Sequence, residues 1–201
     1  MLQIFKAWTL SPCMLFNSGI RITNSDEVYS LGDDSILLIE SLDIDSGERV
    51  LEIGCGTGVV AIHCAKAGAD VTATDINPAA VELTRENARA NGAYMDIRLS
   101  DLYEDIDSHF DTIVFNLPYL PVSDGGMLGK AWSGGDGGIG PLPKLLSEVE
   151  DRLFPRGRFV VVVSSLMDQD KLNEVLSGYE VKVLGEKKLF FEHLKVLEIR
   201  F

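Results

Sequence analysis

The sequence predicts an α/β fold: a doubly wound, mostly parallel, seven-stranded sheet with helices on both faces and one antiparallel edge strand. Two observations lead to this prediction. Short apolar runs alternate with segments of helical spacing between residues 49 and 177, which is the order that builds a parallel sheet. Two β-prone runs then follow one another at residues 180–188 and 193–201, which predicts an antiparallel pairing at one edge.

The first half of the chain supplies most of the alternation. Apolar runs predict strands at residues 49–53, 70–75, 96–99 and 110–115. Helical spacing predicts helices over residues 35–42, 59–67 and 77–90. Asp34 is the predicted N-cap of the first of these helices, and Asn77 with Pro78 begins the third, because Asn favours the cap and Pro the first turn.

The second half begins with a glycine-rich stretch over residues 122–140. A loop of this length without regular structure is uncommon in a compact domain unless it is functional, so a substrate-binding loop or lid is expected here. A helix over 142–153, a buried strand over 157–164 and a helix over 168–177 follow. Residues 1–27, with β-prone pieces at 2–5 and 19–23, are interpreted as an N-terminal arm or hairpin, and residues 28–201 as the single domain.

Composition and charge narrow the class of protein. The chain has 201 residues, and its 18 basic against 31 acidic side chains give a net charge of −13. Nucleic-acid binding rests on Lys and Arg neutralising phosphates, so the net charge disfavours a nucleic-acid partner. No apolar run is long enough to span a bilayer, which predicts no membrane association. The three cysteines form no Cys-x-x-Cys pair, which is typical of a cytoplasmic protein without a metal site.

A glycine turn follows the first predicted strand. Gly54, Gly56 and Gly58 form G-x-G-x-G, in which the third glycine is misplaced for the dinucleotide fingerprint G-x-G-x-x-G. Three carboxylates flank the turn at predicted strand ends, namely Glu52, Asp75 and Asp101. A carboxylate at the end of the second strand is placed to accept from ribose hydroxyls, and acidic groups suit a cationic adenosyl ligand. The alternative for each residue is an ordinary turn or helix cap.

These residues resemble the class I S-adenosylmethionine-dependent methyltransferases, and within them the HemK/PrmC type. The resemblance spans roughly residues 28–165, and the segments that carry it are Val28–Leu38, Leu51–Gly58, Thr74–Ala80, Ser100–Leu102, Phe115–Tyr119 and Ala131–Gly137. The first and last of these point to the short archaeal and eukaryotic branch that methylates glutamine in release factors. The resemblance implies S-adenosyl-L-methionine as cofactor, held by Ser35, Glu52, Gly54, Gly56, Gly58, Asp75, Ile76, Asp101, Leu102 and Asn116.

The segment Phe-Asn-Leu-Pro-Tyr at residues 115–119 carries the expected chemistry. A planar NH2 group is a poor nucleophile, and two hydrogen-bond acceptors facing its hydrogens would hold it for in-line methyl transfer. The side-chain oxygen of Asn116 is one acceptor, and a backbone carbonyl near Leu117 or Pro118 is the other. Pro118 fixes the turn and Tyr119 packs on the flat acceptor group, so Asn116, Pro118 and Tyr119 are the predicted catalytic residues.

Leu117 is a departure from the family pattern, which is Asn-Pro-Pro-Tyr. Asn-Leu-Pro-Tyr also occurs in adenosine dimethyltransferases that act on ribosomal RNA, and adenine N6 presents the same planar NH2 group as a glutamine amide. An adenine-N6 methyltransferase therefore stays open, as do a catalytically idle cofactor-binding subunit and methylation of lysine or a small molecule. Trp132 is equally well interpreted as part of the substrate groove or of the core.

The resemblance also implies partners. A translation release factor with its Gly-Gly-Gln loop is the expected protein substrate, and the branch often uses a small zinc-binding activator subunit. An exposed apolar strand edge near Val71–Ala73 is the expected place for such a subunit, because an unpaired edge is otherwise an aggregation liability.

Overall fold

The computed structural model describes residues 13–123 and 125–201, and within them seven strands form one sheet. The strands are β1 Arg49–Ile53, β2 Asp70–Asp75, β3 Asp96–Leu99, β4 Phe110–Phe115, β5 Leu153–Ser164, β6 Glu180–Lys188 and β7 His193–Arg200. Their order in the sheet is β3-β2-β1-β4-β5-β7-β6. β1 to β5 pair in parallel, whereas β7 runs antiparallel to both β5 and β6.

The predicted fold class is confirmed. The antiparallel pairings lie at one end of the sheet, where β7 is the reversed strand and β6 forms the edge itself. The helices are α1 Asp33–Ser41, α2 Val59–Ala67, α3 Pro78–Ala90, α4 Gly126–Gly129, α5 Leu142–Val149 and α6 Gln169–Leu176. In the described residues, no helix has the length and apolar character needed to cross a membrane.

Helices cover both faces of the sheet because successive strand residues point to opposite sides. On β5, Phe159 and Val161 pack into the core cluster that contains α5, whereas Val160 and Val162 pack into the cluster that contains α1 and α2. All four of these side chains are fully buried. The sheet is thus the middle of three layers, as its near-continuous apolar strands predict.

Three local predictions were wrong. Asp34 is not the N-cap of α1; Gly32 occupies that position without a side-chain cap, and the Asp34 carboxylate is directed elsewhere. The helix predicted over 142–153 ends at Val149, and Leu153 already belongs to β5. Val71–Ala73 is not an exposed edge, because β2 lies between β1 and β3 and both residues are buried. The edge strand at this side of the sheet is β3.

The segment at residues 19–23 is not a strand either, and the β-prone piece at 2–5 lies outside the described residues. Asparagine side chains on and just after α3 make the backbone hydrogen bonds that a neighbouring strand would otherwise make with this segment. The amide of Asn87 bonds both the N–H and the carbonyl of Thr23, and the amide of Asn91 does the same for Arg21. The extended segment therefore docks on α3, and the division of the chain at residue 27 stays a prediction.

Candidate functional site

A cleft opens at the carboxyl ends of β1, β2 and β4, the edge of an open α/β sheet where ligands bind. It brings together all but one of the predicted site residues, namely Ser35, Glu52, Gly54, Gly56, Asp75, Ile76, Asp101, Leu102, Asn116, Pro118 and Tyr119. Gly58 lies behind this wall, at the start of α2.

The three glycines of the turn all have left-handed backbone, with φ of 66° at Gly54, 54° at Gly56 and 78° at Gly58. Two of them are also required by packing. A Cβ at Gly54 would lie 2.9 Å from the Phe115 ring, and one at Gly58 would lie 2.7 Å from Thr84 Cγ2. A Cβ at Gly56 would have its nearest neighbour at 3.8 Å, an ordinary van der Waals distance. The turn therefore needs glycine for close packing at both ends and for its left-handed backbone throughout.

Asp75 holds the glycine turn in place. Its Oδ2 accepts from the Gly56 N–H at 2.9 Å, and its Oδ1 accepts from the Asn77 N–H at 2.8 Å. Burial raises the pKa of Asp75 although these backbone hydrogen bonds act in the opposite direction. Each carboxylate oxygen keeps a second lone pair, so the side chain remains able to accept from a ligand hydroxyl.

Glu52 is the most deeply buried carboxyl group of the cleft, with 3% of its surface exposed. Its Oε2 accepts from the Ala61 N–H at 2.8 Å. Burial raises the pKa of Glu52 to about 8, and the charge of Asp75 adds to that rise. Two neighbouring carboxyl groups with raised pKa values fit a cationic ligand, which would stabilise their ionised forms.

Leu102 lies on the opposite wall with a left-handed backbone, at φ 52°, which is uncommon for a residue with a side chain. Ser100 supports this conformation: its hydroxyl donates to the Leu102 carbonyl at 3.3 Å and accepts from the Asp105 N–H at 3.2 Å. The side chain of Asp101, between them, is exposed at the rim of the cleft. The loop thus presents a fixed backbone and one carboxylate to the cleft.

Asn116 directly follows β4 and begins the Asn-Leu-Pro-Tyr turn, residues 116–119. Its Nδ2 donates to Ser35 Oγ at 3.3 Å. Its Oδ1 is buried and has no hydrogen-bond partner among the residues that the structure describes. The side chain of Leu117, 1% exposed, packs into the core. The departure from the family pattern is therefore absorbed by the core, away from the polar atoms of the turn.

A buried carboxylate, Asp34, organises the side chains around Asn116. Asp34 Oδ1 accepts from the Ser35 N–H at 2.6 Å and from Ser35 Oγ at 3.2 Å. Its Oδ2 accepts from the Tyr29 hydroxyl at 3.3 Å, and the Tyr119 hydroxyl also donates to this carboxylate. Burial, reinforced by Asp34, raises the pKa of Tyr29 to about 12. One carboxylate thus positions a serine and two tyrosines at the cleft.

The glycine-rich segment packs its backbone against the Asn-Leu-Pro-Tyr turn. A Cβ at Gly138 would lie 2.3 Å from the Tyr119 carbonyl oxygen, and one at Gly140 would lie 3.0 Å from the Pro118 carbonyl oxygen. The Trp132 side chain is half-buried and lines the cleft. This segment therefore packs against the turn through Gly138 and Gly140 and forms part of the cleft wall through Trp132. Its role as a lid stays a prediction.

Sequence reasoning missed two residues of the site. Thr84 on α3 is fully buried and donates to the Gly56 carbonyl at 3.0 Å, which ties the glycine turn to the next helix. No local signal marks it. Tyr29 lines the cleft and is bonded to Asp34. An aromatic residue four positions before the pair Asp33-Asp34 was the available signal, although it did not show that the side chains of Tyr29 and Asp34 meet.

Comparisons with known proteins identify the family to which the chain belongs. The model of the methyltransferase small domain family matches residues 19–129. A protein of Methanocaldococcus jannaschii, provisionally named a protein N5-glutamine methyltransferase, is 38% identical over 186 residues, which are 89% of this chain and 94% of that protein. Human methyltransferase HEMK2 is 31% identical over 166 residues, which are 75% of this chain and 78% of that protein.

Ribosomal RNA small subunit methyltransferase C of Chromohalobacter salexigens is 30% identical over 92% of this chain, which spans 52% of that protein's length. Among solved structures, the E. cuniculi Mtq2–Trm112 complex, described as responsible for methylation of the eRF1 translation termination factor, has a TM-score of 0.70. The match is 22% identical and covers 87% of this chain and 98% of the solved chain, so it supports the fold. The chain belongs to the methyltransferase small domain family and, within it, to the HemK type of class I methyltransferases.

Proposed function

We propose that this chain transfers a methyl group from S-adenosyl-L-methionine to the side-chain amide nitrogen, N5, of a glutamine in the Gly-Gly-Gln loop of a translation release factor. The observation that carries the proposal is the Asn116 Oδ1 atom, which is buried at the cleft and has no partner among the described residues. A buried acceptor without a donor is costly, so its position indicates that a ligand N–H completes it.

The cleft fits the cofactor. When bound, S-adenosyl-L-methionine supplies an electrophilic methyl group on a positively charged sulfur. Glu52 and Asp75, whose pKa values are raised without a cation, are the groups that would hold its charged and hydroxylated parts. Gly56 leaves its backbone open to the ligand, and Ile76 and Leu102 supply apolar walls.

The Asn-Leu-Pro-Tyr turn holds the acceptor amide. Asn116 Oδ1 accepts one amide hydrogen, and a backbone carbonyl accepts the other. Gly140 packs against the Pro118 carbonyl, which makes the Leu117 carbonyl the better candidate for this second acceptor. With both hydrogens held, the nitrogen lone pair would be free to attack the methyl carbon. The carbon–sulfur bond would break to leave a neutral thioether, and the nitrogen would then lose one proton. Positioning of this kind contributes about 7–11 kcal/mol to the lowering of a barrier when the geometry is fully set.

The relatives support glutamine as the acceptor. The M. jannaschii protein carries the name of a glutamine methyltransferase, and the Mtq2 complex is described as acting on a translation termination factor. The acidic balance of the chain, −13, also favours a protein acceptor over a phosphate backbone. The match to a ribosomal RNA methyltransferase keeps RNA as the rival substrate.

The test is methyl transfer from radiolabelled S-adenosyl-L-methionine to three substrates offered side by side. These are a release factor with its Gly-Gly-Gln loop, the same factor with that glutamine changed to alanine, and total RNA. Label on the intact factor alone is the expected result. Label on RNA that falls steeply with added salt would overturn the proposal in favour of a nucleic-acid methyltransferase.

A small zinc-binding activator subunit is part of the proposal, and the structure directs the search for its surface to β3. Within the described residues, β3 pairs with β2 on one side only. Leu99 on this edge is 52% exposed, and Tyr94 just before it is 92% exposed. A β3 variant with Leu99→Lys should lose any co-purifying subunit, because a charged edge opposes strand pairing. Co-purification of the subunit with this variant at the wild-type level would contradict the assignment.

A further inference from the structure

Two phenylalanines stand almost fully exposed in the turn between β6 and β7. Phe190 is 91% exposed and Phe191 is 85% exposed, the two largest exposed aromatic surfaces after Tyr94 among the described residues. Their rings lie edge to face, with centroids 4.5 Å apart and planes at 85°. A hydrogen bond of 2.7 Å from the Leu189 N–H to the Glu192 carbonyl closes the turn beneath them. The pair is therefore an apolar knob at the surface and belongs to no core cluster of the fold.

The topology places this knob at the same edge of the sheet as the cleft. β7 is antiparallel to β5, and the pairing of Ser164 with Leu194 places the β6–β7 turn at the carboxyl end of β5. The Ser164 hydroxyl donates to Glu192 Oε1 at 2.6 Å, immediately after the knob. Besides burial, which is the largest cause, the charge of Glu192 contributes to the raised pKa of both Tyr29 and Tyr119, which line the cleft.

A second link joins the end of β6 to the start of α1. Lys187 Nζ pairs with Asp33 Oδ1 at 2.8 Å, and Asp33 directly precedes Asp34 and Ser35. The turn is thus held both to β5 and to the helix whose Ser35 bonds Asn116. A folded protein whose glutamine reaches Asn116 would extend along this edge of the sheet, where Phe190 and Phe191 are exposed.

We propose that Phe190 and Phe191 form a docking knob for the folded protein that carries the acceptor glutamine; this inference rests on the proposed function. Aromatic side chains, including Phe, are enriched at protein–protein interfaces, where a few residues carry most of the binding energy. The charges around the knob favour a protein over RNA. Lys187 is neutralised by Asp33, and Lys188 and Glu192 flank the turn with opposite charges, so no excess of positive charge faces a phosphate backbone.

The experiment compares the wild-type chain with a Phe190→Ala, Phe191→Ala double variant and with Leu15→Ala. Leu15 is the matched control because it is an apolar side chain, 83% exposed, next to Met14, whose N–H bonds the Leu42 carbonyl beyond the far end of α1. Methyl transfer is measured on the whole release factor and on a short peptide containing Gly-Gly-Gln. Binding is measured separately by calorimetry to the factor whose glutamine is replaced by alanine.

The double variant should raise the KM for the whole factor relative to the KM for the peptide by about tenfold or more, because two aromatic anchors are removed. Binding to the alanine-substituted factor should weaken by a similar factor, and Leu15→Ala should change neither value. An unchanged ratio with intact methylation of the factor would overturn the knob and leave the proposed function standing. Wild-type labelling of RNA that is lost in the double variant would overturn both, since the pair would then stack on bases.

Discussion

The Asp34 carboxylate offers the sharpest test of how the cleft is organised. Asp34→Asn keeps the size and shape of the side chain but removes its charge and turns one acceptor oxygen into an N–H donor. The contacts that lose a charged acceptor are those from Ser35, Tyr29 and Tyr119. All of them lie around Asn116, so the change acts on the geometry of the acceptor site without removing any group proposed to touch the acceptor amide.

The magnitude follows from these contacts. A hydrogen bond to a charged group contributes about 1.5–3 kcal/mol, and a neutral one about 1 kcal/mol. Replacing the charge at the two tyrosines should lower the free energy of unfolding by about 2 kcal/mol, since part of each contact survives. A displacement of Tyr119 and Ser35 on the scale of 1 Å should lower kcat for methyl transfer by about 100-fold.

Asp33→Asn is the matched control. It removes the same charge one residue earlier, from a half-exposed carboxylate whose partner is Lys187. The assay is steady-state methyl transfer to the release factor, with cofactor affinity measured by calorimetry and tyrosine ionisation by ultraviolet absorbance. Asp34→Asn should lower kcat, with a smaller effect on cofactor affinity. Asp33→Asn breaks the pair with Lys187, so it should change at most the KM for the release factor and should not lower kcat.

The tyrosine titration separates positioning from general loss of structure. Burial and the Asp34 charge together raise the pKa of Tyr29 to about 12. In Asp34→Asn this pKa should fall but remain above its usual value of about 10, because burial is the larger cause. A kcat for Asp34→Asn equal to that of Asp33→Asn, with an unshifted Tyr29 titration, would refute the positioning role of Asp34.

Three further changes test other parts of the site. Affinity for S-adenosyl-L-methionine should rise between about pH 5.5 and 7, by at most about tenfold per pH unit, because a bound cation releases the proton that Glu52 holds below pH 8. Calorimetry in two buffers checks the release of the proton, and an affinity that does not change with pH would contradict the prediction. Gly138→Ala should lower kcat by about 100-fold, because the added Cβ clashes with the Tyr119 carbonyl oxygen in the Asn-Leu-Pro-Tyr turn. Gly92 has a similar φ but no neighbouring atoms around an added Cβ, so Gly92→Ala should cost only about 1 kcal/mol of stability. Asn87→Ala should lower the free energy of unfolding, measured in urea, by about 3 kcal/mol. This loss should exceed that of Asn91→Ala, because the Asn87 amide is buried. Equal losses in the two variants would contradict the role of burial.

Much of the fold was predictable because its signals are local. β1, β2, β3 and β4 have the predicted bounds, because each of these runs ends at or just before a glycine, an aspartate, a serine or an asparagine. The start of α3 was also predictable, because Asn77 accepts from the Ala79 N–H and Pro78 follows. The end of α5 was not, because a 3-10 helix, Glu150–Arg152, follows α5 directly and leads into β5 with no glycine or proline to mark the boundary.

Residues of the candidate site could be predicted where they follow directly after a strand. They could not be predicted where their role depends on contacts between separate helices, strands and loops. Asn116 follows from the end of β4 and its sequence context. The multiple bonds made by Asp34 do not follow, since a buried acid before a helix looks like an N-cap until its partners are known. Asn87 looks like an ordinary helix residue, yet its amide replaces a strand for a segment 64 residues earlier. Such contacts depend on tertiary structure, which no short pattern encodes.

The orphan oxygen of Asn116 also bears on where the proposed reaction stops. An unmodified glutamine amide has two hydrogens for two acceptors, the Asn116 oxygen and the neighbouring backbone carbonyl. Once a methyl group has replaced one hydrogen, a single N–H remains and one acceptor is again unpaired, at a cost of about 1–3 kcal/mol. The same two oxygens that hold the substrate should therefore loosen the product and leave a second methylation without its geometry, so that monomethylglutamine is the expected end point.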